Sequence, residues 1–162
     1  MSKRILISAI AGLGLAGCCF GGGSMGGGGG AGFSLAPGFT PDPATATGNA
    51  GGLTDASTLS GDCRGYIAAT PNHVLTATGA FPNLRVAVNG GSADLTLVVQ
   101  RPDGTYLCND DSEGFHPMVE GPFAAGEHRI YVGSYNAESA GAAYRLGISE
   151  LQTTTPTSVG TP

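Results

Sequence analysis

The chain has 162 residues, 41% of them hydrophobic, with 12 acids against 7 basic residues and a formal net charge of −5. That length holds one domain with a modest core. An acidic balance with no basic cluster excludes nucleic acid and anionic lipid headgroups as charge-selected ligands.

Lys3 and Arg4 open the chain and an unbroken apolar run follows from Ile5 to Ala11. A basic start, a short apolar stretch and small residues at its end describe an export signal. At roughly 12 residues the stretch is too short for a membrane span, which needs about 20. It ends in Leu15-Ala16-Gly17-Cys18, which resembles a bacterial lipobox. The resemblance implies cleavage after residue 17 and acylation of the Cys18 sulfur and amine, with multiple acyl chains holding the protein at the membrane. A plain secretory signal, with Cys18 incidental, is the competing reading. Because Cys19 rather than an acid follows, the expected place is the bacterial cell envelope, lipid-anchored at the outer membrane. Gly12, Gly14 and Gly17 also spell G-x-G-x-x-G, but no helix pattern follows and the first acid is Asp42. A dinucleotide loop needs both, so the match is chance. Loss of Lys3 and Arg4 with the leader leaves five arginines against twelve acids, a net charge of −7.

Of the 29 glycines, 16 lie at or before Gly52. From Cys19 to Ser60 the composition is mostly Gly, Ala, Thr, Ser and Pro, with only Asp42 and Asp55 charged. Such a segment buries little apolar surface of its own against its ordering entropy. Residues 18–60 are therefore expected to form a flexible tether, about 42 residues with an end-to-end distance of roughly 35 Å. A G-x-S-x-G at Gly22 to Gly26 lacks the strand-turn-helix setting of a nucleophile elbow. Residues 152–162, Thr- and Pro-rich, are expected to be a second disordered tail.

Between residues 61 and 151 the hydrophobic period becomes two. Leu84, Val86 and Val88 alternate with Arg85, Ala87 and Asn89. Leu95, Leu97 and Val99 share a face, and Pro102-Asp103-Gly104 supplies a turn that returns "TYLCNDD" as a hairpin partner. His128, Ile130 and Val132 fall on one face of the next strand, with Arg129, Tyr131 and Tyr135 on the other. Tyr144, Leu146 and Ile148 align in the last. Short strands punctuated by turns predict an all-β antiparallel sandwich. Cys63 is expected to open the first strand and Cys108 to close the hairpin. In an oxidising compartment a Cys63–Cys108 disulfide is favoured over two buried free thiols, adding roughly 4 kcal/mol. Neither cysteine has a C-x-x-C partner for zinc.

"LTLVVQRPDGTYLCNDD", "GPFAAGEHRIYVGSY" and "AAYRLGIS" together resemble the bacterial pre-peptidase C-terminal domain, over about Gly61 to Leu151. The carrying pattern is a strand ending in a D-G turn, an acidic "DD" segment, an "A-G" strand and a closing "Y-x-L" strand. The resemblance implies a jelly-roll-like sandwich that is non-catalytic, related to clostridial collagen-binding modules and carried by secreted proteases. His128 departs from the aromatic that the family has there, and no protease domain lies within these 162 residues.

His73 follows Pro71-Asn72 and His116 precedes Pro117, each in an expected turn, and His128 opens a strand; nothing in the spacing joins a Ser, His and Asp into a triad. An enzyme is the remote reading. Asn109 to Gly114, "NDDSEG", is the densest oxygen cluster. Asp110, Asp111 and Glu113, with Asp103 or Glu120 brought near by folding, are candidate calcium ligands. The other reading is a solvated turn, and no cofactor is required by either. Arg129, Tyr131 and Tyr135 are the candidate ligand face, Tyr and Arg being favoured contact residues. The functional expectation is a non-catalytic, lipid-anchored binding module for extracellular protein or polysaccharide; a structural spacer without a ligand is the alternative.

Overall fold

A computed structural model describes residues 32–162. The signal segment and Cys18 lie outside the described residues. Among those described, the elements are all β apart from two 3-10 turns, Ala56–Thr58 and Thr157–Val159. The strands are β1 (Gly32–Leu35), β2 (Ala44–Asn49), β3 (Thr54–Asp55), β4 (Tyr66–Ile67), β5 (His73–Ala77) and β6 (Phe81–Asn89). They continue as β7 (Leu95–Gln100), β8 (Tyr106–Asn109), β9 (Met118–Phe123), β10 (Gly126–Ser134) and β11 (Ala143–Ser149).

Two sheets result. A four-stranded sheet has the order β2-β11-β6-β9 and pairs antiparallel throughout. A seven-stranded sheet is organised on β10, which pairs β5 and β4 along one edge and β7 along the other; β1 joins β5 in parallel. The alternation read from the sequence decides the core. Leu84, Val86 and Val88 of β6, Ile130 and Val132 of β10, and Tyr144, Leu146 and Ile148 of β11 are all fully buried between the sheets. The β7–β8 hairpin turns at Pro102-Asp103-Gly104 as expected, with Gly104 at φ +84°, a conformation suited to glycine.

Strand β7 is buried on both faces. Leu95, Leu97 and Val99 face the main core, while Val98 packs against Ala56, Cys63 and Ile67 in a second cluster. The segment from Thr54 to Ile67 thus lies over the outer face of β7 and β10. The Cys63–Cys108 disulfide fastens it there, Cα to Cα 5.1 Å, across 45 residues. Cys63 sits in a turn, its N–H donating to the Ser60 carbonyl, rather than opening a strand.

Two boundaries are corrected. The expected tether gives way to ordered strand from residue 32. β2 pairs with β11 over six residues, and Phe33, Leu35 and Phe39 pack on the core. Taken alone, "ATATGN" has little apolar surface. Its stability comes from the neighbour, whose backbone groups it satisfies and whose Tyr144 it covers. Residues 18–31 of the expected tether lie outside the described residues. The C-terminal tail is likewise docked: Thr154 and Val159 are buried, and Val159 sits against Gly147, where any side chain would collide with it.

Candidate functional site

Strand β10 carries the expected ligand face, and the structure divides it. Arg129 is exposed near the start of the strand and pairs with Glu127 at 3.0 Å. Tyr131 is half-buried because it packs into the cluster under the disulfide, and that burial raises its phenol above the usual range. Tyr135 lies past the end of the strand and is 45% exposed. At about 3.3 Å per residue, Arg129 and Tyr135 stand roughly 20 Å apart. The three residues share a strand parity but do not form one surface, since the 54–67 segment covers the middle.

Around Tyr135 another surface forms. Gly52, Leu53, Tyr66, Ser134, Asn136 and Ala140 line a groove of about 370 Å³. Leu53 is 100% exposed and Tyr66 47% exposed, while Tyr135 sits between two lining residues. Tyr66 arrives by pairing with Ser134 in the sheet. Leu53 arrives because Gly52 passes so close to the Ile67 carbonyl that no Cβ fits. The loop after β10 is set by Asp94: its carbonyl accepts from Tyr135 N–H, and its own N–H donates to Ser139 Oγ. Leu53 and Tyr66 were not legible as site residues, one being a lone leucine in a glycine-rich stretch.

Three of the five acids proposed for calcium are taken by other partners. Asp103 accepts from the N–H and hydroxyl of Thr105 within its own turn, which holds its carboxyl below the usual range. Glu120 takes Arg85 at 2.9 Å and Asn83 at 2.9 Å. Glu113 accepts from Thr157 N–H, tying down the C-terminal turn. Asp110 and Asp111 face Asp94, whose carboxyl is raised by its own burial and then by those two charges. Among the described residues no group of three or more His, Cys, Asp or Glu is placed to hold a metal ion.

The histidines are corrected too. His73 lies in β5, buried, with Nε2 2.8 Å from the Tyr144 hydroxyl. His128 is buried in β10, with Nε2 2.9 Å from the Ala124 carbonyl and its ring against Phe123. His116 is part-buried, bridging to Glu113 through backbone. Two of the three are packed inside the sandwich.

No protein-family model matches the sequence, and no curated protein matches it significantly. Among solved structures it is similar to the pre-peptidase C-terminal domain of collagenase from Bacillus anthracis, at 18% identity and a TM-score of 0.45. That match covers 73% of this chain and 94% of the other. The sandwich itself rests on the strand pairing described above.

Proposed function

We propose that this chain is a non-catalytic, lipid-anchored module of the bacterial envelope that presents the Leu53–Tyr66–Tyr135 end of its sandwich to an extracellular protein or polysaccharide. The carrying observation is that two exposed large side chains, Leu53 and Tyr66, line one groove, with a third, Tyr135, exposed on the adjoining loop. Phe115 and Leu151 are also exposed, but neither lines that groove. A domain this small gains nothing in its own stability from exposed Leu and Tyr, and Tyr is a favoured contact residue. The anchor reading rests on the lipobox at Leu15 to Cys18, and the disulfide suits an exported protein. The resemblance to pre-peptidase C-terminal domains supports an accessory role beside a secreted hydrolase.

Two measurements test the reading. Labelled palmitate should enter the wild-type chain and not Cys18→Ala, which should leave the membrane fraction. Arrays of glycans and extracellular matrix proteins should show a ligand lost in Tyr66→Ala and Tyr135→Ala with unchanged melting. Palmitate incorporation without any groove-dependent ligand would leave a spacer; no incorporation would remove the anchor.

A further inference from the structure

We infer that the opposite end of the sandwich, around Arg101, binds the C-terminal carboxylate of a peptide whose last side chain is apolar. Glu127 and Arg129 line this end and Ser134 lines the groove above, so the two sites stand at opposite ends of β10.

Two recesses meet at Arg101. One, of about 490 Å³, has Phe81, Pro82, Pro122 and Phe123 in its walls. The other, of about 240 Å³, is lined by Gln100, Pro102, Glu127 and Arg129. The apolar walls follow from the end of the β6–β9 ladder. Phe81 pairs with Phe123, the register then shifts before Leu84, and Pro82 and Pro122 bring no N–H to the pairing. Phe81 and Phe123 are buried as a floor, while Pro82 and Pro122 are exposed at the rim.

Arg101 is held from behind. Its N–H donates to the Thr105 carbonyl at 2.8 Å and its carbonyl accepts from Gly104 at 2.9 Å, so the turn is fixed at both ends. Its Nε is buried without a hydrogen-bond partner among the described residues, as are those of Arg85 and Arg145; what sets Arg101 apart is the rest of its guanidinium. Asp103 lines the same recess and feels the Arg101 charge, but its Oδ1 is taken by Thr105, and Glu127 Oε1 is taken by Arg129. The remaining described arginines all donate to oxygens of the fold: Arg64 to the Gly61 and Cys63 carbonyls, Arg85 to Glu120, and Arg145 to Thr45 Oγ1. Arg101 alone among the described arginines makes no side-chain hydrogen bond, and it does so beside an apolar recess.

The guanidinium makes no hydrogen bond among the described residues, and a carboxylate satisfies a guanidinium through two parallel bonds. The Phe- and Pro-lined recess is large enough for one apolar side chain attached to that carboxylate. The combination calls for both groups on one ligand. A peptide is favoured over other carboxylates because β9 is an edge strand of the four-stranded sheet, beside the recess. A free edge offers backbone groups to an extended chain.

The test is calorimetric titration of the full chain, in non-ionic detergent, with N-acetyl-glycyl-phenylalanine as the free acid and as the C-terminal amide. The acid should bind about tenfold or more tighter than the amide. Arg101→Gln should erase that difference and Arg101→Lys retain part of it, with the melting temperature of both variants close to wild type. Phenylpropionate, with the ring and carboxylate but no peptide group, should bind more weakly than the peptide acid. Equal affinity for acid and amide in the wild type, or no heat with either at millimolar concentration, would overturn the proposal without recourse to any variant. Phenylpropionate binding as tightly as the peptide would overturn the peptide assignment.

Discussion

The Tyr144 hydroxyl and His73 Nε2 meet at 2.8 Å in the middle of the sandwich, one on β11 of the four-stranded sheet and the other on β5 of the seven-stranded sheet. Their rings cross nearly perpendicular at 5.8 Å, so the link is packed as well as hydrogen-bonded. Room for the phenol is made by Gly48, which pairs with Tyr144 in the β2–β11 ladder and whose absent side chain would overlap the ring. A residue in a loose tether would tolerate alanine. Gly48→Ala should instead destabilise the fold by about 1–3 kcal/mol through overpacking. A melting temperature unchanged from wild type would show that β2 is not part of the folded unit.

Reduction of Cys63–Cys108 should lower the melting temperature while leaving the far-ultraviolet β signature intact at room temperature. Closing 45 residues of chain corresponds to about 4 kcal/mol by loop entropy, and the bond also pins the 54–67 cover onto β7 and β10. Paired melts with and without reductant measure it. Two alkylatable thiols in the native protein, seen by intact mass, would mean the bond is not formed.

The C-terminal residues should behave as part of the domain. Gly147→Ala is expected to push Val159 out of its seat and cost about 1–3 kcal/mol. Glu113 holds the same turn from outside, and its carboxyl is lowered by the hydrogen bonds it accepts from Thr157. A lowered carboxyl stabilises the contact above its ordinary pKa, about 4.3, and loses it as pH falls through the folded value. Hydrogen exchange at the Thr157 amide should therefore be slow at neutral pH and faster in Glu113→Gln. Equal exchange in both would remove Glu113 as the fastener.

What could be read from the sequence follows from how strongly each segment separates its faces. Leu84-Val86-Val88 and Tyr144-Leu146-Ile148 differ sharply from their intervening neighbours, and each strand appears as expected. In "ATATGN" alanine and threonine are nearly equal in apolarity, so the period is present but carries no contrast; only the long-range pairing with β11 makes it a strand. Val159 is a single apolar residue whose value depends on a glycine twelve positions earlier. The candidate site suffered from the same non-locality. Arg129, Tyr131 and Tyr135 share a parity, but nothing local announces that the Cys63 segment folds over Tyr131. Leu53 and Tyr66 become neighbours only through the approach of Gly52 to Ile67.

Calcium is expected to leave the melting curve where it is. Glu120, Glu113 and Asp103 are each committed to protein donors, and Asp110 and Asp111 lie near Asp94, whose carboxyl their charges raise. A ligand that binds only the native state stabilises it by about 2.7 kcal/mol at a hundredfold excess over Kd, which is several degrees in a domain of this size. Melts in millimolar calcium and in chelator should overlay. A shift that disappears in Asp110→Asn/Asp111→Asn would establish a site there after all.

Stability should fall at alkaline pH, and Tyr144 should carry a measurable share of the fall. Burial raises its phenol well above the ordinary value, with an Asn72 hydrogen bond pulling weakly the other way. The unfolded chain then loses the proton first, near pH 10, while the folded chain keeps it. Below that pH the two states bind the same proton and the stabilisation is fully present. Above it the unfolded state binds fewer protons, so unfolding becomes more favourable by about 1.4 kcal/mol per pH unit for one such group. Tyr131, also raised first by its burial, adds in the same direction. Tyr144→Phe removes the hydroxyl from His73 and should cost about 1–2 kcal/mol at neutral pH. The same variant should flatten the alkaline slope, so that its stability curve and the wild type's converge as pH rises above 10. Urea titrations across that range decide it. Parallel curves, with the variant below wild type by a constant amount, would mean that Tyr144 titrates alike in both states and is not the buried group described here.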